Sequence, residues 1–109
     1  MSSLFTKIIE REIPARIEYE DELTIVIHDI APKAKHHLLI IPKKEIESME
    51  HLLPEDAEMF SHMAFVGQKV ARKLGIEQWY QLHINVWKDG GQEIMHLHMH
   101  LLSDIDANN

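Results

Sequence analysis

The chain has 109 residues, 45% of them hydrophobic, and a formal net charge of −7, a size and apolar content that fit one compact domain spanning 1–109. It has no cysteine, which removes thiol nucleophiles, CxxC redox pairs and thiolate zinc sites. The acidic balance argues against broad nucleic-acid or anionic-membrane partners, and the absence of a basic opening followed by a long apolar run makes the cytoplasm the expected location.

In chain order, Leu4, Phe5, Ile8 and Ile9 recur at helical spacing before Glu12-Ile13-Pro14, which predicts a short helix ended by the proline. Ile17 to Glu20 and Leu23 to Asp29 are β-branched and apolar around Asp21-Glu22, a hairpin with an acidic turn. His37 to Ile41 is an aliphatic run closed by Pro42, consistent with a buried strand. Pro54 with Glu55 and Asp56 suits a helix start, and Arg72, Lys73 and Gly75 suit its end, so one long helix is predicted over 54–74. Its apolar stripe is Phe60, Met63, Ala64, Val70 and Leu74. Trp79 to Val86 alternates as a strand, with Tyr80, Leu82, Ile84 and Val86 on one side and Gln81, His83 and Asn85 on the other. Lys88-Asp89-Gly90-Gly91 is a turn, and Ile94 to Leu102 is the final strand.

Nine histidines in so short a chain stand out, because imidazole is the side chain suited to proton work near neutral pH. Three of them alternate in His96-Leu97-His98-Met99-His100. On a strand this puts the imidazoles on one face and Leu97, Met99 and Leu101 on the other. Neighbouring imidazoles repel each other's positive charge, which favours the neutral, nucleophilic form. Such a row can supply a nucleophile, an orienting partner and a proton donor. Histidines two apart on a strand are also able to chelate zinc or copper, and that reading stays open at this point. Just upstream, the glycines of Asp89-Gly90-Gly91-Gln92 suggest exposed amides forming a concave anion site. His36, His51, His62 and His83 are read as surface or packing histidines.

The run His96 to Leu102, two apolar residues after His-x-His-x-His, resembles the histidine triad (HIT) superfamily of nucleotide hydrolases and transferases. Phe5-Thr6-Lys7-Ile8-Ile9, Glu12-Ile13-Pro14-Ala15, His28-Asp29-Ile30 with Pro32, His37 to Lys44, and Asn85 with Asp89-Gly90-Gly91-Gln92 extend the match over nearly the whole chain, to the branch of histidine triad nucleotide-binding proteins. The resemblance implies an α+β fold, two helices on a five-stranded antiparallel sheet, and a homodimer with a continuous ten-stranded sheet. It also implies hydrolysis of purine nucleoside phosphoramidates, such as AMP joined to an amine, without a cofactor or metal. By the same resemblance His98 attacks the α-phosphorus, His37 and His96 orient it, and His100 contacts the phosphate and assists the leaving amine. Asp29 would hold the ribose hydroxyls. Leu4, Phe5, Ile8, Ile27, His28 and Ile30 would wall the base pocket, with Asn85, Gly91 and Glu93 near ribose and phosphate.

Three departures are visible: Ser103-Asp104-Ile105-Asp106 stands where the branch commonly continues with Gly-Gly and a longer tail, His36 stands beside His37, and Glu93 stands where some relatives carry Ser or Thr. Two alternatives remain beside the phosphoramidase reading. One is dinucleoside polyphosphate hydrolysis, the activity of a sister branch; the other is a nucleotide-sensing or partner-binding module with little turnover.

Overall fold

The computed structural model describes residues 2–105; Met1 and the end of the short tail from Asp106 onward lie outside the described residues. Seven elements carry the fold: α1 (Leu4–Ile9), β1 (Ile17–Glu20), β2 (Thr24–His28), β3 (His36–Pro42), α2 (Ala57–Lys73), β4 (Gln81–His83) and β5 (Met99–Ser103). The strands form one sheet in the order β1-β2-β3-β5-β4, every neighbouring pair antiparallel.

The β1–β2 turn is built by one carboxylate. Asp21 Oδ1 accepts from the backbone N–H groups of Leu23 and Thr24, each at 2.9 Å, the short-range pattern for which Asp is favoured in turns. Its other oxygen accepts from His62 Nε2 on α2 at 2.7 Å, tying the hairpin to the helix.

Side-chain alternation divides the sheet into two unequal faces. Val26, Leu38, Ile40, Met99 and Leu101 pack against Met59, Met63, Val66, Val70 and Ala71 of α2. Gly67 allows the close approach, since a Cβ there would stand 3.0 Å from Ile40 Cδ1. The opposite face holds the smaller cluster of Ile25, Ile27, Leu39 and Ile41 under Phe5 and Ile8 of α1. On that face His98, just before β5, and His100 of β5 stand in place of aliphatic residues; Phe5 of the six-residue α1 packs edge-on against His98 and leaves His100 half-buried.

Three boundaries differ from the sequence reading. Residues 54–56 form a 3₁₀ turn before α2, and the buried stripe of α2 runs through Met59, Met63, Val66 and Val70 while Ala64 is exposed. The fourth strand is three residues long because 85–92 fold into a turn held by Gln92, whose side chain accepts from the Trp87 N–H at 2.8 Å and donates to the Glu47 and Ile94 carbonyls. The final strand begins at Met99 rather than Ile94. Its partner β3 ends in Pro42, which has no N–H to offer, and the Leu97 N–H is already given to the Ile46 carbonyl at 2.6 Å.

Candidate active site

A cleft of about 160 Å³ opens on the α1 face, lined by Phe5, Asp29, Ala31, Lys33, His37, Leu39, Asn85, Gly91, Glu93, Ile94, His98 and His100. Strand register brings the histidines together: Leu102 stands opposite His37 and His100 opposite Leu39, so the imidazoles of two neighbouring strands share one face.

Each ring is locked by its partners. His98 Nδ1 lies 2.7 Å from the His96 carbonyl oxygen. A carbonyl only accepts, so Nδ1 carries the proton and Nε2 keeps its lone pair. His37 Nδ1 accepts from the Lys33 backbone N–H at 3.1 Å, which places the His37 proton on Nε2, 3.0 Å from His100 Nδ1. His100 Nδ1 is therefore the acceptor, and its own proton sits on Nε2. One backbone amide thus sets the tautomers of two rings in series. Asp29 Oδ2 lies 3.5 Å from His37 Nε2, while its Oδ1 accepts from the Ala31 N–H at 2.8 Å.

His96 keeps the side its alternation predicted but stands back from the cleft. Its ring is fully buried, with Nε2 donating to the Pro42 carbonyl at 2.8 Å and Nδ1 accepting from Ser3 Oγ at 2.6 Å. It lies on the same side of the sheet as His98, and Phe5 stands edge-on to both rings at 5.7 and 5.0 Å. Only His98 and His100 of the trio reach the cleft. It is the backbone of His96, not its ring, that holds His98.

Burial disfavours the imidazolium in all four rings and pushes His37, His96 and His98 below the ordinary histidine range. His100 is pushed down to about 4 by burial and by the neighbouring rings of His98, His83 and His37, against the attraction of Asp29. Repulsion between imidazoles was the expected cause; burial is the larger one.

Of the other sequence candidates, Phe5, Asp29, Asn85, Gly91 and Glu93 line the cleft. The charge of Glu93 favours the protonated form of His98 as a minor effect. Ile8 and Ile27 pack behind Phe5 in the small core. Leu4 is 43% exposed and faces a separate groove with Glu45 and Met95, and His28 is turned to Glu18, 2.9 Å away. Ile30 is 98% exposed, at the rim between two lining residues. The glycine turn is not a free anion cradle: the amides of Gly90, Gly91 and Gln92 donate to the carbonyls of Trp87, Lys88 and Trp87 within the turn. Gly91 instead sits at φ 91° against the Asn85 side chain, which donates to the Gly90 carbonyl at 2.9 Å.

Ala31, Lys33, Leu39, Ile94 and Ser3 escaped the sequence reading because their roles depend on chain crossings. His83 did too, although its alternation with Gln81 and Asn85 placed it on the polar side of β4. Asp29, His37 and His100 each offer one ligand atom, all within 4.8 Å of one another, and are the described residues best placed to hold a metal ion.

The chain matches, over residues 2–108, the family model described as the scavenger mRNA decapping enzyme C-terminal binding domain. It is 42% identical over 100 residues to an uncharacterized HIT-like protein of Synechocystis, covering 92% of this chain and 88% of that one. It belongs to the HIT superfamily. Among solved structures, a HIT family hydrolase from Legionella pneumophila is 39% identical with a TM-score of 0.92, covering 96% of this chain and 95% of the other. A HIT family hydrolase from Clostridium thermocellum is 42% identical with a TM-score of 0.91, covering 96% and 92%. The histidine-lined face described above is therefore borne on a HIT fold. Among the described residues no helix is long and apolar enough to cross a membrane.

Proposed function

We propose that this HIT protein is a purine nucleoside phosphoramidase, hydrolysing AMP joined to an amine through a nucleotidyl intermediate on His98. The observation that carries the reading is the pairing of His98, whose Nε2 lone pair is freed by the bond from Nδ1 to the His96 carbonyl, with His100, whose Nε2 carries a proton in the same cleft.

In this scheme His98 Nε2 attacks the α-phosphorus and the P–N bond to the amine breaks. The departing nitrogen takes the Nε2 proton of His100, whose Nδ1 then leaves the His37 bond and takes a proton from solvent, so that the ring ends neutral with its Nε2 lone pair free. Water then attacks phosphorus and gives a proton to His100. The P–N bond to His98 breaks, its electron pair returns to Nε2, and AMP leaves. Asp29, at the end of β2, suits two ribose hydroxyl donors. A cleft of about 160 Å³ is below the usual size for a whole ligand, so the purine lies at the rim against Phe5 and the exposed Ile30.

The protein acts, on this reading, as a cytoplasmic homodimer. A ten-stranded sheet needs a free strand edge, and β4 lies at one end of the sheet with Trp79 and Leu82 exposed beside it.

Purified wild type and His98→Ala are compared on an AMP phosphoramidate, with mass spectrometry searching for AMP on the protein. Turnover and a nucleotidylated chain in wild type alone support the proposal. No turnover in either moves the reading to a nucleotide-binding module. The Asp29, His37 and His100 cluster favours a second reading, a metal protein, and stoichiometric zinc surviving dialysis would support that one.

A further inference from the structure

The ammonium of Lys33 has no part in the proposed reaction, which uses only the Lys33 backbone N–H on His37 Nδ1. Among the described residues Lys33 is the one lysine or arginine lining the His98 cleft, where the carboxylates are those of Asp29 and Glu93. Its side chain is exposed. The described lysines and arginines that pair with carboxylates are Arg11, Lys43, Lys44 and Lys73, so the positive charge at Lys33 is left for an anion arriving from solvent.

Lys33 also lines a second, larger cavity of about 470 Å³, together with Gln81, Leu102, Ser103 and Asp104. Gln81 stands opposite Leu102, and Leu102 opposite His37. Cross-strand partners share a face of the sheet, so this wall of the cavity lies on the face that carries His37 and His100. In the strand order β1-β2-β3-β5-β4, Asp29, just after β2, is on one side of His37, and the second cavity is on the other, beside β5 and β4. A nucleotide with its ribose at Asp29 and its α-phosphorus at His98 and His100 thereby directs its leaving group past Lys33 into this cavity. Asp104, the other charged side chain there, is turned to the backbone, its Oδ1 accepting the Lys35 N–H at 3.2 Å.

We infer that Lys33 is a specificity-determining residue that pairs with a carboxylate on the leaving amine, so that AMP joined through nitrogen to an α-amino acid is preferred over AMP joined to a neutral amine. The inference rests on the phosphoramidase reading. An exposed ion pair is weakened by water and salt, and the preference it gives is about fivefold.

The test compares AMP joined to glycine with AMP joined to glycinamide, two compounds of nearly equal size that differ in the carboxylate. Wild type should favour the glycine compound about fivefold in kcat/KM, through KM, and the preference should shrink as salt is raised. Lys33→Gln should abolish it, Lys33→Glu should reverse it, and Lys35→Gln, which removes the neighbouring charge of the same loop, should keep it. Binding of both compounds to His98→Ala, with and without Lys33→Gln, reads the same preference without any chemistry. A wild type that does not distinguish the two compounds, or a preference that survives Lys33→Gln, overturns the inference. Absence of turnover in wild type, with the binding preference present in His98→Ala and lost on adding Lys33→Gln, removes the phosphoramidase reading and leaves Lys33 as the carboxylate contact.

Discussion

His37 and His100 are joined by a hydrogen bond of 3.0 Å between Nε2 and Nδ1, and its direction is dictated from outside the pair. The Lys33 N–H occupies His37 Nδ1, so His37 donates and His100 accepts. His100 is left with a proton aimed away from its strand neighbour. A donor placed in this way typically contributes 10²–10⁴-fold to rate. His100→Ala is expected to lower kcat about 100-fold or more, and His37→Ala to lower it by less, since His37 acts through its partner. Steady-state kinetics on the AMP phosphoramidate check the order; a His37 loss exceeding that of His100 would give His37 the direct role.

The depressed histidines make a prediction about acid stability. His37, His96, His98 and His100 all bind protons less readily in the folded chain than the ordinary value of 6.5. The unfolded chain then holds more protons than the native one below that value, so stability rises with pH there. The contribution is fully present above about 6.5 and is lost as pH falls toward the His100 value of about 4. Thermal unfolding followed across this window should show Tm falling as the solution is acidified. A flat Tm between those limits would show that the rings titrate normally.

Ser3 serves two structures at once. Its Oγ accepts the Thr6 N–H at 3.0 Å, capping α1, and donates to buried His96 Nδ1. Ser3→Ala removes a cap and strands a buried acceptor, and a loss of about 1–3 kcal/mol is expected. Urea denaturation measures it. A change of only a few tenths would mean that water replaces the hydroxyl at no cost.

Gly90 and Gly91 are adjacent yet should respond differently to alanine. Gly91 has φ 91°, and a Cβ there would meet Asn85 Nδ2 at 3.1 Å, whereas a Cβ on Gly90 meets nothing within 4 Å. Gly91→Ala should cost about 1–2 kcal/mol from the left-handed backbone alone and weaken substrate binding by moving Asn85 at the cleft wall. Gly90→Ala should be close to neutral in both unfolding and KM. Equal effects at the two positions would remove Gly91 from the list of residues that shape the cleft.

Much of this was legible in the amino-acid order because it depends on short-range periodicity. The alternation through His96, His98 and His100 placed the rings on one side of a strand, and the aliphatic residues between them on the other, where α2 covers them. The run from His37 to Ile41 marked β3, and Asp21 marked the turn between β1 and β2. The likeness to histidine triad proteins along the chain gave the family, the sheet and the long helix. Local pattern has less hold where the chain stops obeying a period. It extended the last strand back to Ile94, because alternation of side chains carries no information about whether a partner strand is still there to pair.

Only the tertiary structure decided which histidine does what. His96 and His98 are equivalent by spacing, and they are separated by contacts with Ser3 and Pro42, residues 93 and 54 positions away. The tautomers of His37 and His100 follow from one amide of Lys33, and the imidazole beside His100 comes from the edge strand through His83. Residue types and periodicity determine which groups are available and which face they occupy. The proton on each nitrogen depends on partners brought in by long-range crossings, and a linear order of side chains does not contain those distances.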